Sequence, residues 1–335
     1  MYCCKIMADY AVDDDGGGDV FIYMGGRAPQ HITHVLIDKS IDEIVGGAFD
    51  GCVRLMTVET HDGLRRVGRK AFYYCTLRRI NFKPVVEICD HAFFRSKNLE
   101  SVEFGGRLET IGNRTFGECS SLQHLKLPSI ITIGTASFAS CTRLTDIDLS
   151  ERLETIGFRA FWHCKRLQRI AIPLKRDLFV YDNHRQKYNQ FDKCKQLTTV
   201  DLVGGIHKTV ASLHMDSWRT DMIAEINRIN QVLPNTPADE KTAVIKQWMD
   251  LVMEKLRPYV YEHCRYVREG IILLELAVWK AKLDEKEESS VDSAERKAEK
   301  ANVDAVTESG REEKRMTCGA DIVMKNVLPF LRLEQ

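Results

Sequence analysis

The sequence lacks a net charge, which narrows the class of partner. Its 335 residues include 48 lysine and arginine side chains against 48 aspartate and glutamate side chains, so the formal charge is zero. Proteins that bind nucleic acid usually carry a basic excess or a basic face, because each phosphate contact needs a positive side chain. Nucleic acid is therefore not predicted as a partner. The 44% hydrophobic content is ample for a buried core.

The sequence also lacks a long apolar run. The longest, Gly270 to Trp279, is interrupted by Glu275 and falls well short of the roughly 20 residues that a membrane-spanning helix needs. No apolar stretch of the secretory type precedes the acidic Asp13-Asp14-Asp15. The eleven cysteines are an odd number, so they cannot all pair within the chain. These features predict a cytoplasmic or nuclear protein with free thiols and without a membrane span.

Motifs of catalysis and of metal binding are missing as well. The sequence has no C-x-x-C pair, no G-x-S-x-G and no H-E-x-x-H, and His31 and His34 have no third ligand in view. Gly204 to Thr209 departs from a phosphate-binding loop, because His207 stands where such a loop needs glycine before Lys208. We therefore predict no enzymatic activity, no cofactor and no metal.

What the sequence does contain is an internal repeat of 21 to 23 residues. Phenylalanine marks seven copies, the last after a longer step of 30 residues: Phe49, Phe72, Phe93, Phe116, Phe138, Phe161 and Phe191. Three residues after each phenylalanine comes cysteine or serine: Cys52, Cys75, Ser96, Cys119, Cys141, Cys164 and Cys194. Leucine and then Val, Ile or Leu follow, giving the unit L-x-x-I-G-x-x-A-F-x-x-C-x-x-L-x-x-I-x-L. Self-similarity at a fixed period predicts a stacked repeat architecture.

The unit has a clear physical interpretation. The ending L-x-x-I-x-L alternates with period two, which predicts a short strand with one buried face. The rest of each copy is predicted to be a return arm that brings the next strand alongside, so that stability comes from stacking on neighbours. The residue before each of the first six phenylalanines is small, which indicates a crowded corner. The cysteines are interpreted as packing positions rather than metal ligands, because Ser96 replaces one of them.

This pattern resembles the leucine-rich repeats, and specifically the BspA-like class, over residues 30 to 203. It departs from the commoner leucine-rich consensus, because its cysteine precedes the strand instead of following it. The whole chain is also similar to BspA-like proteins of microalgae that carry a helical C-terminal tail. The resemblance implies an α/β repeat solenoid, right-handed and of about seven repeats, that acts as a binding module. It does not imply a reaction.

Composition divides the chain into five segments. Residues 1–19 are acidic and rich in glycine, which is typical of disorder. Residues 20–203 are predicted to form the repeat domain, with Val20 to Tyr23 and Ile32 to Ile37 joined at Gly25-Gly26 as a hairpin cap. Within the last repeat, the polar stretch from Lys175 to Gln190 is predicted to be a surface loop.

The period changes after residue 203. Apolar residues at helical spacing predict two helices within 204–283, the second beginning at Pro237 with Thr236 as its N-cap and ending near Leu283. Pro258 is expected to kink or divide that helix. The apolar stripe has two interpretations, packing of the helices on each other and on the last repeat, or association with a second copy or a partner helix, with self-association placed in residues 206–283.

The last two segments carry weaker signals. Residues 284–315 are densely charged and are interpreted as a solvated linker or as a helix without a core face. Residues 316–335 contain a short amphipathic segment that could dock back on the helical pair.

Each predicted strand places two residues on the side facing away from the core, and these form what we call the strand face. Its first column, with mixed chemistry, comprises Thr57, Arg79, Ser101, His124, Asp146, Arg169 and Thr199. Its second column, mainly acidic, comprises Glu59, Asn81, Glu103, Lys126, Asp148 and Asp201, with Ala171 in the sixth copy. Variable side chains on a rigid sheet suit recognition of an extended protein surface. The alternative is a solvated face with no partner.

The sequence thus predicts a non-enzymatic scaffold that binds a protein on its strand face. A cell-surface adhesin of the BspA type is the alternative, and export would distinguish the two. A catalytic role ranks third.

Overall fold

A computed structural model describes residues 20–184, 187–203 and 215–297 of the chain. The chain divides into two compact units, Met1–Leu256 and Arg257–Gln335, and each is treated by itself. The predictions for residues 1–19 and 298–335, including the amphipathic segment 316–335, lie outside the described residues.

The described part of the chain contains fifteen short strands, and every pairing between them is parallel. In chain order they are β1 (Val20–Tyr23), β2 (His34–Ile37), β3 (Glu43–Ile44), β4 (Thr57–Glu59), β5 (Arg66–Val67), β6 (Arg79–Phe82), β7 (Glu87–Ile88), β8 (Ser101–Phe104), β9 (Thr110–Ile111), β10 (His124–Lys126), β11 (Thr132–Ile133), β12 (Asp146–Asp148), β13 (Thr155–Ile156), β14 (Arg169–Pro173) and β15 (Thr199–Val203). Parallel pairing of successive short strands requires a crossover after each one, which makes every repeat one coil of a solenoid.

The strands predicted from L-x-x-I-x-L are present and aligned. They pair in three groups, β1-β2-β4, β6-β8 and β10-β12-β14-β15. Their central apolar residues lie opposite one another, so that Ile147 pairs with Leu125 on one side and with Ile170 on the other. All three are buried, at 2% exposure or less. The strand prediction is confirmed.

The N-terminal hairpin prediction is wrong. β1 and β2 pair in parallel, with Val20 opposite His34 and Tyr23 opposite Ile37, whereas a hairpin requires antiparallel strands. The reason lies in the sequence of the segment itself, because Ile32, Val35 and Ile37 repeat the spacing of L-x-x-I-x-L and are buried like the later copies. The segment therefore adds coils to the stack.

The isoleucine five residues before each phenylalanine forms a second sheet, which the interpretation as a plain return arm missed. Six two-residue strands pair in the order β13-β11-β9-β7-β5-β3. Their buried residues align along the sheet: Ile44, Val67, Ile88, Ile111, Ile133 and Ile156. A glycine follows most of them because neighbouring coils come very close. A Cβ atom on Gly134 would lie 2.6 Å from the carbonyl carbon of Gly112.

The seven phenylalanines form one internal stack. All are fully buried, and consecutive rings lie 4.9 to 5.6 Å apart with interplanar angles of 13° or less. Tyr23 extends the stack at the N-terminal end, 4.9 Å from Phe49. The backbone N–H of Phe116 donates to the carbonyl oxygen of Ser137 in the next coil, at 2.7 Å, and other copies repeat this bond. The stack shows that the repeat register predicted from the sequence is the register of the fold.

The insertion in the last repeat is more than a surface loop. Leu178 and Phe179 are buried, and Phe179 meets Phe191 edge to face at 5.8 Å. The Ile156 N–H donates to the Leu178 carbonyl at 2.7 Å, and the Val180 N–H donates to the Ile156 carbonyl at 3.1 Å. These residues add an apolar position beside Ile156 at the end of the second sheet. The simple surface-loop prediction is therefore wrong for residues 178–180.

Two helices follow the solenoid. α1 is Met215–Val232, a 3-10 turn covers Leu233–Asn235, and α2 is Lys241–Lys297. Thr236 does not cap α2, because its hydroxyl donates to the carbonyl of Val232 at 3.0 Å and so closes α1. α2 also runs through Pro258 and past Leu283, so the proline does not divide it. Residues 284–297 accordingly belong to a helix, one of the two interpretations given to the charged segment.

Residues of both helices close the C-terminal end of the stack within the first unit. The N–H of Phe191, which has no further coil beside it, donates to the Thr242 hydroxyl at 2.9 Å. The Val200 N–H donates to the side-chain oxygen of Asn230 at 2.8 Å. The buried Lys241 ammonium donates to the carbonyls of Lys195, at 3.2 Å, and of Leu197. Packing on the last repeat, one of the two interpretations of the apolar stripe, is what this part of the helices does.

Candidate protein-interaction face

The structure places the strand face on one side of the solenoid. On β4 and β10 the central residue is buried and both neighbours are exposed, because side chains alternate along a strand. Parallel in-register pairing then aligns the columns. His124, Asp146, Arg169 and Thr199 lie opposite one another in turn, as do Lys126, Asp148, Ala171 and Asp201. Of these, Ala171 is buried.

The columns extend two strands further towards the N-terminus than the sequence repeat indicated. His34 pairs with Thr57 and Leu36 with Glu59, and β1 adds Val20 and Ile22 beside them. The His34 ring nitrogen Nδ1 lies 2.7 Å from the Thr57 hydroxyl. Val20 and Ile22 are 62% and 54% exposed, so this end of the face is apolar.

The C-terminal half of the face is neutralised by its own ion pairs. Arg169 lies between two carboxylates of the second column, with Nη1 2.7 Å from Asp148 Oδ1 and Nε 2.6 Å from Asp201 Oδ2. Hydrogen bonding to these carboxylates raises the pKa of the guanidinium. His124 Nδ1 also lies 3.5 Å from Asp146 Oδ2. Both carboxylates of the second column in this half, Asp148 and Asp201, are therefore paired with Arg169.

The N-terminal half of the face is different. Glu103 pairs with Lys83 at 3.1 Å, but both are highly exposed, so the pair is weak. Arg79 and Glu59 are exposed, and neither has an ion-pair partner among the residues that the structure describes. A partner can therefore meet these two charges without breaking an ion pair among the described residues.

A partly exposed aromatic cluster lies at the phenylalanine turns, where the repeat consensus gave no signal. Tyr73 stacks on Phe94 of the next coil at 5.6 Å and meets Tyr74 edge to face at 4.7 Å. The Arg95 guanidinium lies over the rings of Tyr74 and Phe94, at 5.3 and 5.4 Å, and its Nε binds Glu118 at 2.9 Å. We call these residues the aromatic turn cluster. The available signal was aromatic residues one and two positions after phenylalanine in adjacent copies.

The cysteine column is structural. From the second copy onwards, each buried thiol or hydroxyl donates to the carbonyl of the phenylalanine one coil back, at 3.0 Å for Cys75, 2.8 Å for Ser96 and 3.1 Å for Cys119. The Cys52 thiol donates instead to the Pro29 carbonyl at 3.7 Å. Burial raises the pKa of the Cys119 and Cys141 thiols well above the ordinary value, so these sulfurs stay protonated. A protonated, buried thiol is a poor nucleophile and a poor metal ligand.

An open groove of about 640 Å³ runs along the second sheet. Three of its charged residues pair with one another, because Arg66 binds Glu43 at 2.7 Å and Glu87 at 3.0 Å. Its one thiol, Cys89, is not activated, since burial and the neighbouring Glu87 carboxylate raise its pKa to about 11. The groove thus holds no activated nucleophile among these residues.

The profile of the BspA-type leucine-rich repeat region matches the sequence in overlapping stretches, residues 28–129, 65–198 and 121–220, with six copies. Together these stretches cover more than half of the chain. The chain belongs to the BspA-type leucine-rich repeat family. Its membership supports a repeat protein for protein interaction or surface recognition, and repeats of this family are typically non-enzymatic. No curated protein matches the sequence.

Several solved structures are similar to this chain. A leucine-rich repeat protein of Bacteroides ovatus is 23% identical, with a TM-score of 0.37, and the match covers 51% of this chain and 55% of that one. A leucine-rich repeat protein of T. pallidum is 23% identical, with a TM-score of 0.38 and coverage of 66% and 92%. The pneumococcal vaccine antigen PcpA is 18% identical, with a TM-score of 0.31 and coverage of 57% and 67%. The chain spans about half the length of the Bacteroides protein.

Among the residues that the structure describes, no helix has both the length and the apolarity that crossing a bilayer requires.

Proposed function

We propose that this protein is a non-enzymatic interaction scaffold that binds a protein partner on the strand face of its solenoid. Rigid display supports the proposal, because the face is built on parallel strands backed by a fully buried aromatic stack. Little conformational entropy is then lost when a partner docks.

The observation that carries the proposal is the division of the face into two halves. Arg169 is held between Asp148 and Asp201, whereas Arg79 and Glu59 are exposed and have no ion-pair partner in the described part of the chain. Arginine is enriched among the residues that dominate binding energy. The proposed contact region is therefore the N-terminal half of the face, around Thr57, Glu59 and Arg79.

The test is charge reversal of this half, as the double variant E59K/R79E. We expect unchanged thermal stability, because both side chains are exposed, and loss of the proteins that co-purify with the tagged chain in its native cell. The matched control R114E/E154K changes the same charges at exposed positions outside the strand face and should retain those proteins. Quantitative mass spectrometry of the captured proteins measures both. Equal capture by wild type and E59K/R79E would show that the strand face is not the binding surface.

The aromatic turn cluster is a second candidate surface, because it brings two tyrosines and an arginine together at the surface. The variant Y74A/R95A tests it in the same capture experiment. Loss of partners in this variant, with retention in E59K/R79E, would move the binding surface to the phenylalanine turns.

Recognition at the cell surface is the alternative function, favoured by the BspA-type family match. Both functions would use the same rigid face, so the location of the protein in the cell distinguishes them. The cytoplasmic or nuclear location stays a prediction. Labelling of intact cells with a membrane-impermeant biotin reagent tests it, with protection from the reagent expected for an intracellular scaffold and labelling expected for an adhesin.

A further inference from the structure

The second unit exposes many apolar side chains on one stretch of α2. Six residues between positions 272 and 279 are 48 to 70% exposed: Ile272, Leu273, Leu274, Leu276, Val278 and Trp279. A contiguous exposed apolar surface usually marks an interface. The apolar run alone does not show which molecule covers it, but the spacing of its residues does.

A heptad repeat is present on one side of this stretch. Cys264, Ile271, Leu274 and Val278 follow each other at spacings of 7, 3 and 4 residues, and the sequence continues the pattern at Val260, Val267 and Ala281. Apolar residues at the first and fourth heptad positions form the seam of a coiled coil. Ile271 and Val278 stand at the first position of successive heptads, and Leu274 stands at the fourth.

The charges beside the seam complement those of a second copy of the same helix in antiparallel orientation. When Ile271 is set against Leu274 of the second copy, the seven-residue period sets Arg268 against the second copy's Glu275. Because the arrangement has twofold symmetry, this opposite-charge pair occurs twice. The same alignment sets Tyr261 against Lys282, and the two small residues Gly270 and Ala277 against each other. Neither Arg268 nor Glu275 has an ion-pair partner within the described part of the chain.

A parallel arrangement gives no such complementarity. In a parallel coiled coil, Arg268 of one copy would lie beside the seam opposite His263 of the second copy, and Glu275 would lie opposite Gly270 of the second copy. No opposite charges meet in this register. The charge pattern therefore selects between the two orientations.

We propose that two copies of this chain associate through residues 260–281 of α2 as an antiparallel two-stranded coiled coil. The seam buries Ile271, Leu274 and Val278 of both copies, and the Arg268–Glu275 pairs fix the register. The proposal concerns the second unit alone and does not depend on the strand face. It makes the protein a bivalent scaffold, because each copy brings its own solenoid.

The first test measures the mass of the full-length protein by sedimentation equilibrium from about 1 to about 100 µM, a range that covers typical reversible association. We expect twice the chain mass of 38.4 kDa at the upper end. L274D, in the seam, should be monomeric. The matched variant L273D changes the neighbouring residue, which is 66% exposed and lies outside the seam, and it should still dimerise. A monomeric wild type would overturn the proposal. So would equal masses of the two variants, which would indicate cover by residues 316–335, by another protein or by unspecific apolar contact.

The second test fixes the orientation by charge reversal. R268E alone and E275R alone should each weaken the dimer by roughly tenfold or more, because two repulsive pairs replace two attractive ones. A mixture of the two variants should recover wild-type affinity, since both pairs are attractive in the heterodimer. No recovery would overturn the antiparallel register.

Cys264 supplies an independent check of orientation. In the antiparallel register Cys264 of one copy faces position 281 of the second copy, which is 17 residues from that copy's Cys264. At 1.5 Å per helical residue the two sulfurs are about 25 Å apart along the helix axis. A short bis-maleimide should therefore not link the two copies through Cys264. A parallel dimer brings the two sulfurs together, so a link that C264S abolishes would contradict the proposal.

Discussion

In the column of small residues before the first six phenylalanines, a single side-chain oxygen is expected to change the free energy of unfolding. Four of its members are fully buried alanines: Ala48, Ala71, Ala92 and Ala160. Thr115 and Ser137 occupy the same column, and both are fully buried as well. The Thr115 hydroxyl lies 2.9 Å from the Gly112 carbonyl, to which it donates, whereas the Ser137 hydroxyl has no hydrogen-bond partner among the residues that the structure describes. An unpaired buried hydroxyl costs about 1 to 3 kcal/mol.

We therefore expect Ser137→Ala to raise the free energy of unfolding by about 1 kcal/mol, since it removes the unpaired hydroxyl and restores the residue of four other copies. Urea denaturation followed by circular dichroism measures the change.

Thr115→Ala is the matched control, and it should lower the free energy of unfolding by about 1 kcal/mol because a satisfied hydrogen bond and a buried methyl group are lost. Destabilisation by Ser137→Ala as large as that by Thr115→Ala would show instead that the Ser137 hydroxyl is hydrogen-bonded in the folded protein.

At this scale the sequence predicted the environment but not the contacts. The small column and the packing role of the cysteines followed from the repeat, because each position recurs with one size of side chain. Which hydroxyl is satisfied depends on distances of a few tenths of an ångström to the preceding coil. The repeat pattern carries no information on such distances.

At the scale of elements, the C-terminal helices take the place of a missing coil. In earlier copies the phenylalanine N–H donates to a backbone carbonyl of the next coil, as Phe116 does to Ser137. Phe191 has the Thr242 hydroxyl instead, and Val200 has the Asn230 side chain. Burial lowers the pKa of the Lys241 ammonium, and its hydrogen bonds to two carbonyls of the last coil compensate for lost hydration. A solenoid needs such a cover on its open end.

Thr242→Val tests this capping role. The substitution keeps the shape of the side chain but leaves the buried Phe191 N–H without an acceptor, so we expect a loss of about 1 to 3 kcal/mol in the free energy of unfolding.

Thr236→Val is the control on an exposed threonine hydrogen bond of similar length, and it should cost less than about 1 kcal/mol. Chemical denaturation of the full chain compares the two variants. Equal losses would mean that Thr242 is no more than an ordinary helix residue.

The sequence predicted the existence of these helices from their period but placed the start of α2 wrongly. Thr236 and Pro237 have the residue types of a helix start, yet the Thr236 hydroxyl binds back to Val232. Helix start signals are local, whereas the observed start at Lys241 coincides with contacts to the last coil. The same reason explains the second sheet, which arises from two-residue strands that acquire hydrogen bonds only when coils stack.

At the scale of the whole molecule, the buried thiols form a column through the solenoid that only Ser96 interrupts among the seven copies. Burial raises the pKa of Cys75, Cys119, Cys141 and Cys164 above the ordinary value of 9.0. In the unfolded chain these thiols ionise near pH 9, whereas in the folded chain they remain protonated. The unfolded state therefore binds fewer protons above pH 9, and the free energy of unfolding falls as pH rises.

We expect wild-type protein to lose stability steeply between pH 9 and pH 11, by up to a tenfold change in the unfolding equilibrium per pH unit for each buried thiol. The double variant C119S/C141S should show a shallower loss, since serine does not ionise there and Ser96 shows that the column accepts it. Urea denaturation at several pH values, with reductant present, provides the slopes. Parallel slopes for the two proteins would contradict the assignment to the thiols.

The sequence by itself determined the coil, its register and its internal residues, because a repeat of 21 to 23 residues can bury its apolar positions only by stacking them on identical neighbours. It also located the outward columns of the strand face. Only the tertiary structure decided which charges on that face are already paired, as at Arg169, and which are available, as at Arg79. It alone showed that the first strands add parallel coils, and that the aromatic turn cluster comes together. These features depend on contacts between residues 14 or more positions apart, which local periodicity does not record.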